Sequence, residues 1–177
     1  MPFAKQPRLL EADALRDYAH KALSMRALSA GELREKLRRK AAVKGDIDPI
    51  ITRLRELGAL NDERFAATYA ERRKENQGFG QQRVLRDLQR RKVAGGLAGK
   101  AVTQAFADTD ENALAEAFLQ RKYRRVDLRV FLAEQKNLAS AFRKLRLGGF
   151  SSAASLRVLK KFSAAVEEFT EEDEHTE

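Results

Sequence analysis

Residues 18–37, which read YAHKALSMRALSAGELREKL, decide the fold of this chain. Ser29 is followed three residues later by Glu32, and this spacing is the signature of a capping box at the start of a helix. Leu33 and Leu37 then follow at helical spacing. The stretch therefore predicts two short helices joined at a corner, each with one apolar face.

The same order of pieces occurs three times along the chain. An apolar or aromatic residue paired with alanine recurs at Tyr18–Ala19, Phe65–Ala66 and Leu114–Ala115, a period of about 48 residues. Helices of about 12 residues cannot bury their apolar faces alone, so consecutive units must share a core. We expect about nine short helices in an elongated, curved, solenoid-like array. One of them is a single helix capped by Asp127, whose apolar face runs from Leu128 to Leu145. Its parts are an N-terminal extension (1–10), three three-helix repeats (11–60, 61–108 and 109–166) and an acidic tail (167–177).

The composition favours an all-α fold and excludes several classes of site. Hydrophobic residues make up 43 % of the 177 residues and charged residues 34 %, with three prolines and no cysteine. Ala, Leu, Arg, Lys and Glu dominate, and these are strong helix formers. The lack of cysteine excludes disulfides, thiolate zinc sites, iron–sulfur clusters and cysteine nucleophiles. No apolar run approaches the roughly 18 residues of a membrane span. We therefore expect a soluble cytoplasmic protein without a membrane partner.

The charge of the chain is strongly asymmetric. Its net charge is +9, yet residues 167–177 carry seven carboxylates and no lysine or arginine, which leaves +16 on residues 1–166. A body this basic attracts polyanions, nucleic acid first among them, although solubility alone is an alternative reading. The acidic tail is predicted to be disordered. It could dock on the basic body or remain solvated.

Basic clusters on the polar faces of the helices are the candidate binding residues. A guanidinium forms paired, charge-assisted bonds with phosphate, and equally with the carboxylates of a protein partner. The alternative for each cation is a solvated surface position or an ion pair within its own helix. The clusters are Arg34, Lys36, Arg38, Arg39 and Lys40; Arg72, Arg73 and Lys74; Arg83, Arg86, Arg90, Arg91 and Lys92; and Arg121, Lys122, Arg124 and Arg125.

Few other residues carry chemistry. Phe79, between two glycines, could stack on a base or could pack within its loop. The segment 95–100, GGLAGK, resembles a phosphate loop but lacks the first glycine and the hydroxyl residue after the lysine. No catalytic or metal-ligating constellation is visible. We expect no enzymatic activity, cofactor, metal or small-molecule substrate.

Three stretches together resemble the RecX family of regulatory proteins. They are residues 18–37, residues 57–73 (LGALNDERFAATYAERR) and residues 78–93 (GFGQQRVLRDLQRRKV). The resemblance covers about residues 14–106, and the third unit is more diverged. The family usually has Arg-Gly-Phe in its third unit, and here Gly149 is assigned to the arginine position.

This resemblance implies a non-enzymatic regulator. RecX-like proteins bind along the groove of the RecA–DNA filament and block its growth, ATP hydrolysis, strand exchange and co-protease activity, and thereby modulate recombinational repair and the SOS response. The implied partners are RecA and single- and double-stranded DNA, and we expect a monomer. Two alternatives stay open, a general nucleic-acid-binding helical protein and a scaffold that recognises an acidic protein. A helix-turn-helix factor is disfavoured because the basic residues are spread over several helices.

Overall fold

The computed structural model describes residues 9–163, and within them the chain is all-α, as predicted. The described part holds ten α-helices instead of the expected nine, and the predictions for the N-terminal extension before residue 9 and for the acidic tail lie outside it. The helices are α1 (Ala12–Met25), α2 (Ala30–Arg38), α3 (Ile47–Glu56), α4 (Asp62–Gln77), α5 (Gln81–Arg90), α6 (Gly95–Ala105), α7 (Glu111–Lys122), α8 (Leu128–Phe131), α9 (Gln135–Gly148) and α10 (Ser152–Lys160). A short 3₁₀ turn, Lys44–Asp46, precedes α3.

The additional helix arises from a break in a segment that the apolar spacing predicts as one helix. Asp127 caps α8, since its carboxylate accepts from the backbone N–H groups of Arg129 and Val130. The amide of Asn137 then donates to the carbonyl of Phe131 at 3.1 Å, so a side chain satisfies a group left without a helical partner. The chain turns here, and α9 starts at Gln135. The single-helix prediction for this segment is therefore wrong.

Each set of neighbouring helices encloses its own core. The first group, α1–α3, buries Leu15, Leu33, Leu37, Ile51 and Leu54. The second group, α4–α6, buries Ala66, Val84, Leu88 and Val102, and the third group, α7–α10, buries Phe118, Leu138, Leu145, Phe150 and Leu159. The repeat boundaries at 60/61 and 108/109 stay a prediction.

The capping box predicted at residue 29 is present, and it also forms part of a joint between the first two groups. The hydroxyl of Ser29 accepts from the N–H of Glu32 at 3.1 Å, and the Glu32 carboxylate accepts from the N–H of Ser29 at 3.2 Å. The same hydroxyl donates to the carbonyl of Arg91, at the end of α5. A Cβ on Gly31 would overlap the carbonyl of Lys92. The start of α2 therefore rests directly on the end of α5.

A second joint of the same design connects the second and third groups. At the start of α5, Gly80 N–H donates to the carbonyl of Gly148 at 2.8 Å and Gln82 N–H donates to that of Gly149 at 3.1 Å. Gly149 has a φ of +95°, and a Cβ there would overlap the backbone of Arg83. The joint thus requires glycine at 149.

The middle helices α2, α5 and α9 consequently follow one another head to tail. In both joints the N-terminal end of one middle helix meets the C-terminal end of the next, which also brings opposite ends of the helix dipoles together. The joints rely on the small residues Ser29, Gly31 and Gly80 at the helix starts. The start of α9 has no such small residues. Its N-cap Glu134 and its first residues Gln135 and Lys136 are larger and exposed.

Candidate functional site

The basic clusters separate into cations that build the fold and cations that face solvent. Arg73 belongs to the first kind, because its guanidinium lies 2.7 Å from the carboxylate of Asp87. Asp87 is only 6 % exposed, and Arg83 binds its other oxygen at 3.2 Å. Arg73 also lies over the rings of Tyr69 and Phe79, at 5.3 and 5.2 Å from their centroids. Arg73 therefore stabilises the packing of the second group.

Two further members of the predicted basic clusters donate hydrogen bonds to backbone carbonyls at helix ends. Lys74 donates to the carbonyl of Ala105, at the end of α6, and lies 2.8 Å from the carboxylate of Glu71. Arg121 donates to the carbonyl of Gln77 at the end of α4 and thereby connects the third group to the second. Both side chains satisfy backbone carbonyls at helix C-termini, where orphan acceptors are expected. Their contacts account for them without a ligand.

Arg91 and Lys92 hold the joint between the first and second groups. Arg91 Nε lies 2.7 Å from the Glu32 carboxylate, and its guanidinium also donates to the carbonyl of Ala27 at 3.2 Å. Lys92 Nζ lies 2.9 Å from the carboxylate of Glu35. Hydrogen bonding from Lys92, supported by Arg39, lowers the pKa of Glu35 below its ordinary value of 4.5. These two cations have structural partners.

The second kind of cation lies at the surface, and its members without a carboxylate partner within residues 9–163 are available to a ligand. Arg34 and Arg39 form surface pairs with Asp48 and Glu35, and Arg90 is 71 % exposed with its nearest carboxylate 3.9 Å away. The remaining members have no carboxylate partner within residues 9–163. They are Lys36, Arg38 and Lys40 on and after α2, Arg72 on α4, Arg86 on α5, and Lys122, Arg124 and Arg125 at the end of α7 and beyond it.

Two exposed arginines outside the predicted set join this surface. Arg64 stands beside Arg72 at the rim of a groove of about 410 Å³ between the first two groups, with Phe65 and Tyr69 in its wall. Arg129 lies beside Arg124 in a groove of the third group. Neither arginine belongs to a run of basic residues, so a search for charge clusters misses them. The position of Arg64 eight residues before Arg72 on the same helix, α4, would have been the signal for Arg64.

Phe79 is packed between the second and third groups. Its ring lies under the guanidinium groups of Arg73 and Arg83, at 5.2 and 5.3 Å, and 6.2 Å from the ring of Phe118. Stacking of Phe79 on a base stays a prediction. It would require some of these contacts to open.

The described residues contain few features of other site classes. No group of three or more His, Asp or Glu residues within 9–163 is arranged to hold a metal ion. No helix in the same range is long and apolar enough to cross a membrane. The segment that resembles a phosphate loop forms the first turns of α6, where Lys100 Nζ lies 2.9 Å from the carboxylate of Glu63.

Comparison with protein families and relatives adds to this picture. Residues 61–102 match the family model described as RecX, second three-helix domain. The chain is 32 % identical over 112 residues to a Regulatory protein RecX of Halorhodospira halophila, covering 63 % of this chain and 68 % of that protein. It is 28 % identical over 144 residues to a Regulatory protein RecX of Streptomyces coelicolor, covering 81 % and 73 %.

Solved structures share the fold. The crystal structure of RecX from Lactobacillus salivarius superposes with a TM-score of 0.65 at 16 % identity, covering 85 % of this chain and 96 % of that one. A second crystal structure, of a regulatory protein RecX, gives a TM-score of 0.63 at 18 % identity over 85 % of this chain and 73 % of that one.

Proposed function

This chain belongs to the RecX family of regulatory proteins, and from that premise we propose that it binds the RecA–DNA nucleoprotein filament and limits its extension. Filament ATP hydrolysis, strand exchange and co-protease activity fall as a consequence, which modulates recombinational repair and the SOS response. The protein acts in the cytoplasm as a monomer and by binding, without catalysis or a cofactor of its own.

The observation that carries this proposal is the distribution of exposed cations that have no carboxylate partner within residues 9–163. They occur on all three helix groups, for example at Arg38, Arg72, Arg86 and Arg124. Each can pair with a phosphate and release a counterion, which gives affinity without sequence readout. A polyanion that extends along the whole array is the ligand that such a distribution fits.

The two joints favour a regular filament over flexible DNA as the target. Main-chain and side-chain hydrogen bonds fix the groups relative to one another, as at Gly80 and Ser29. The exposed cations are therefore presented at preset separations. A preset surface loses little conformational entropy when it binds a repeating lattice whose spacing it matches.

The test is the ATPase of RecA on single-stranded DNA, titrated with this protein and repeated with excess competitor DNA. We expect inhibition well below one protein per RecA, unrelieved by the competitor. Unchanged ATPase activity at concentrations that saturate the filament would refute the proposal.

A matched pair of variants separates the surface from net charge. R38E/R72E/R86E reverses three cations that have no carboxylate partner in the described part of the chain. We expect it to weaken inhibition at least about tenfold, as the loss of three charge-assisted contacts predicts. R16E/R39E/R53E changes the net charge equally, but each arginine already has a surface carboxylate within 3.2 Å. Equal weakening by both variants would mean that overall charge, and not this surface, determines binding.

General nucleic-acid binding without a RecA partner is the second candidate, favoured by the same spread of cations over several helices. It predicts inhibition only near saturation of the DNA, relief by competitor DNA, and a steep loss of affinity with salt. A salt dependence near zero would remove this candidate.

A further inference from the structure

The third group carries a shallow basic groove that the joints do not use. It lies between the end of α7, helix α8 and the end of α10, has a volume of about 500 Å³, and is lined by Tyr123, Arg124, Val126, Arg129 and Phe162 among others. Val126 is 45 % exposed, and the neighbouring Val130 is 73 % exposed. The groove thus combines apolar side chains such as Val126 with the cations Arg124 and Arg129.

The exposed arginines in and next to this groove have no partner of opposite charge among the residues that the structure describes. Arg124, Arg125 and Arg129 are exposed and have no carboxylate partner within residues 9–163. The acid nearest to them in sequence is Asp127, and its Oδ1 atom is occupied by the backbone N–H groups of Arg129 and Val130. An anionic ligand in the groove would therefore meet the guanidinium groups of Arg124 and Arg129, with the exposed Arg125 next in sequence to Arg124, and one carboxylate that already caps a helix.

The chain itself supplies such an anion at the right place. Phe162 forms part of the groove wall, and the described structure ends one residue later at Ser163. Glu167 is four residues further on, a reach of up to about 13 Å in an extended chain. Residues 167–177 contain seven carboxylates, no lysine or arginine, and the apolar Phe169.

We propose that the acidic segment 167–177 docks in this groove of its own molecule, with its carboxylates on Arg124, Arg125 and Arg129 and Phe169 against Val126. A segment that begins five residues beyond the groove-wall residue Phe162 has an effective concentration in the millimolar range, with which a free anion must compete to displace it. Docking covers Arg124 and Arg125 until a denser polyanion competes for them. The contact is a property of the chain alone and does not depend on the proposed function.

The full chain offers a direct test, because it has no cysteine and a single one can be introduced. In E172C carrying a nitroxide label, amides 124–130 should lose at least about half their NMR intensity at low ionic strength, and the loss should shrink as salt screens the contact. Amides 38–40, in the basic run at the end of α2, serve as the internal reference. Little loss is expected there.

Variants on both sides of the contact complete the test. R124E/R125E/R129E in the groove and E167K/E168K/E171K in the tail should each restore the amide signals, and the tail variant leaves the described fold untouched. R16E/R39E/R53E should retain the broadening, since it changes charge elsewhere. Persistence of the broadening in both of the first two variants would overturn the proposal.

Three further outcomes would also overturn it. The first two are the absence of broadening at amides 124–130 and equal broadening at amides 38–40. The third comes from a mixture of isotope-labelled chains that carry no nitroxide with nitroxide-labelled chains that carry no isotope, and it is broadening of the isotope-labelled amides. The last result would identify a second copy as the source of the docked segment.

Discussion

Arg91 Nε lies 2.7 Å from Glu32 Oε1, so the last turn of α5 is held against the first turn of α2, 59 positions earlier in the sequence. The same guanidinium lies over the rings of Phe65 and Tyr69, at 5.1 and 5.5 Å. One side chain therefore links a helix cap in the first group to the aromatic face of the second.

Replacing Arg91 by alanine should destabilise the protein by about 1.5–3 kcal/mol, the range for losing hydrogen bonds to a charged group. Denaturant unfolding measures this change. Arg90→Ala is the matched control, because Arg90 is 71 % exposed and 3.9 Å from its nearest carboxylate. The control should change the unfolding free energy by no more than about 0.5 kcal/mol. Similar losses in both variants would contradict the assigned role of Arg91.

Replacing Gly149 by alanine should cost more than about 2 kcal/mol, because the left-handed φ of +95° is combined with overlap of the new Cβ and the Arg83 backbone. Gly58→Ala isolates the conformational part, since Gly58 also has a positive φ, +67°, with no atom within 4 Å of its Cβ position. The free energy of unfolding of Gly58→Ala should fall by only about 1 kcal/mol. Thermal and denaturant unfolding compare the two. Equal losses would show that the approach of α9 to α5 is not tight.

Asp87→Asn should destabilise the protein by about 2–4 kcal/mol, because it removes a 6 % exposed carboxylate and leaves two guanidinium groups without their partner. The lower end of this range reflects Arg73 and Arg83, which are 29 % and 31 % exposed and keep some contact with water. Asp108→Asn, at an exposed site between α6 and α7, should be nearly neutral. If Asp87→Asn proved as mild as this control, the buried ion pair would not be a source of stability.

Stability should fall in acid partly through Glu35. Hydrogen bonding from Lys92 and Arg39 lowers the pKa of Glu35 from 4.5 in the folded state. A lowered folded pKa adds stability above the unfolded pKa, and this contribution is lost as the pH falls through the folded pKa. Unfolding of Glu35→Gln between pH 7 and pH 3 should therefore show a shallower loss below about pH 4.5 than the parent chain.

Glu75→Gln is the control for this pH dependence, because Glu75 is exposed and has no basic partner within the described range. Its unfolding free energy should follow that of the parent chain at every pH. If the unfolding free energy of Glu35→Gln fell with pH as steeply as that of the parent chain, the pairing of Glu35 with Lys92 would not contribute to the pH dependence of stability.

Much of the fold follows from local signals in the sequence. The Ser29–Glu32 capping box and the spacing of Leu33 and Leu37 determine the start and the buried face of α2, and both lie within one short segment. The apolar spacing does not reveal the break between α8 and α9, because Leu132 and Leu138 are both fully buried and the spacing continues across it. The side-chain bond from Asn137 to Phe131 that ends the first piece has no periodic signature.

The roles of individual cations required the tertiary structure. Arg72 and Arg73 are adjacent, yet Arg73 binds Asp87, 14 positions away, whereas Arg72 faces solvent at a groove. Both residues are arginines in the same basic run, so the sequence does not distinguish the buried ion pair from the exposed position. Only the packing of α4 against α5 distinguishes an arginine that stabilises the core from one that is available to a partner.

The head-to-tail order of α2, α5 and α9 gives the second group a special place in the energetics of the molecule. Helix α5 takes part in both joints, through Gly80 at its start and Arg91 at its end. In a linear array with nearest-neighbour coupling, cooperativity passes from one terminal element to the other through the central one. Local opening of α4–α6 would turn the outer groups into two tethered bodies that diffuse independently, and a ligand bound across the centre would suppress fraying at both ends.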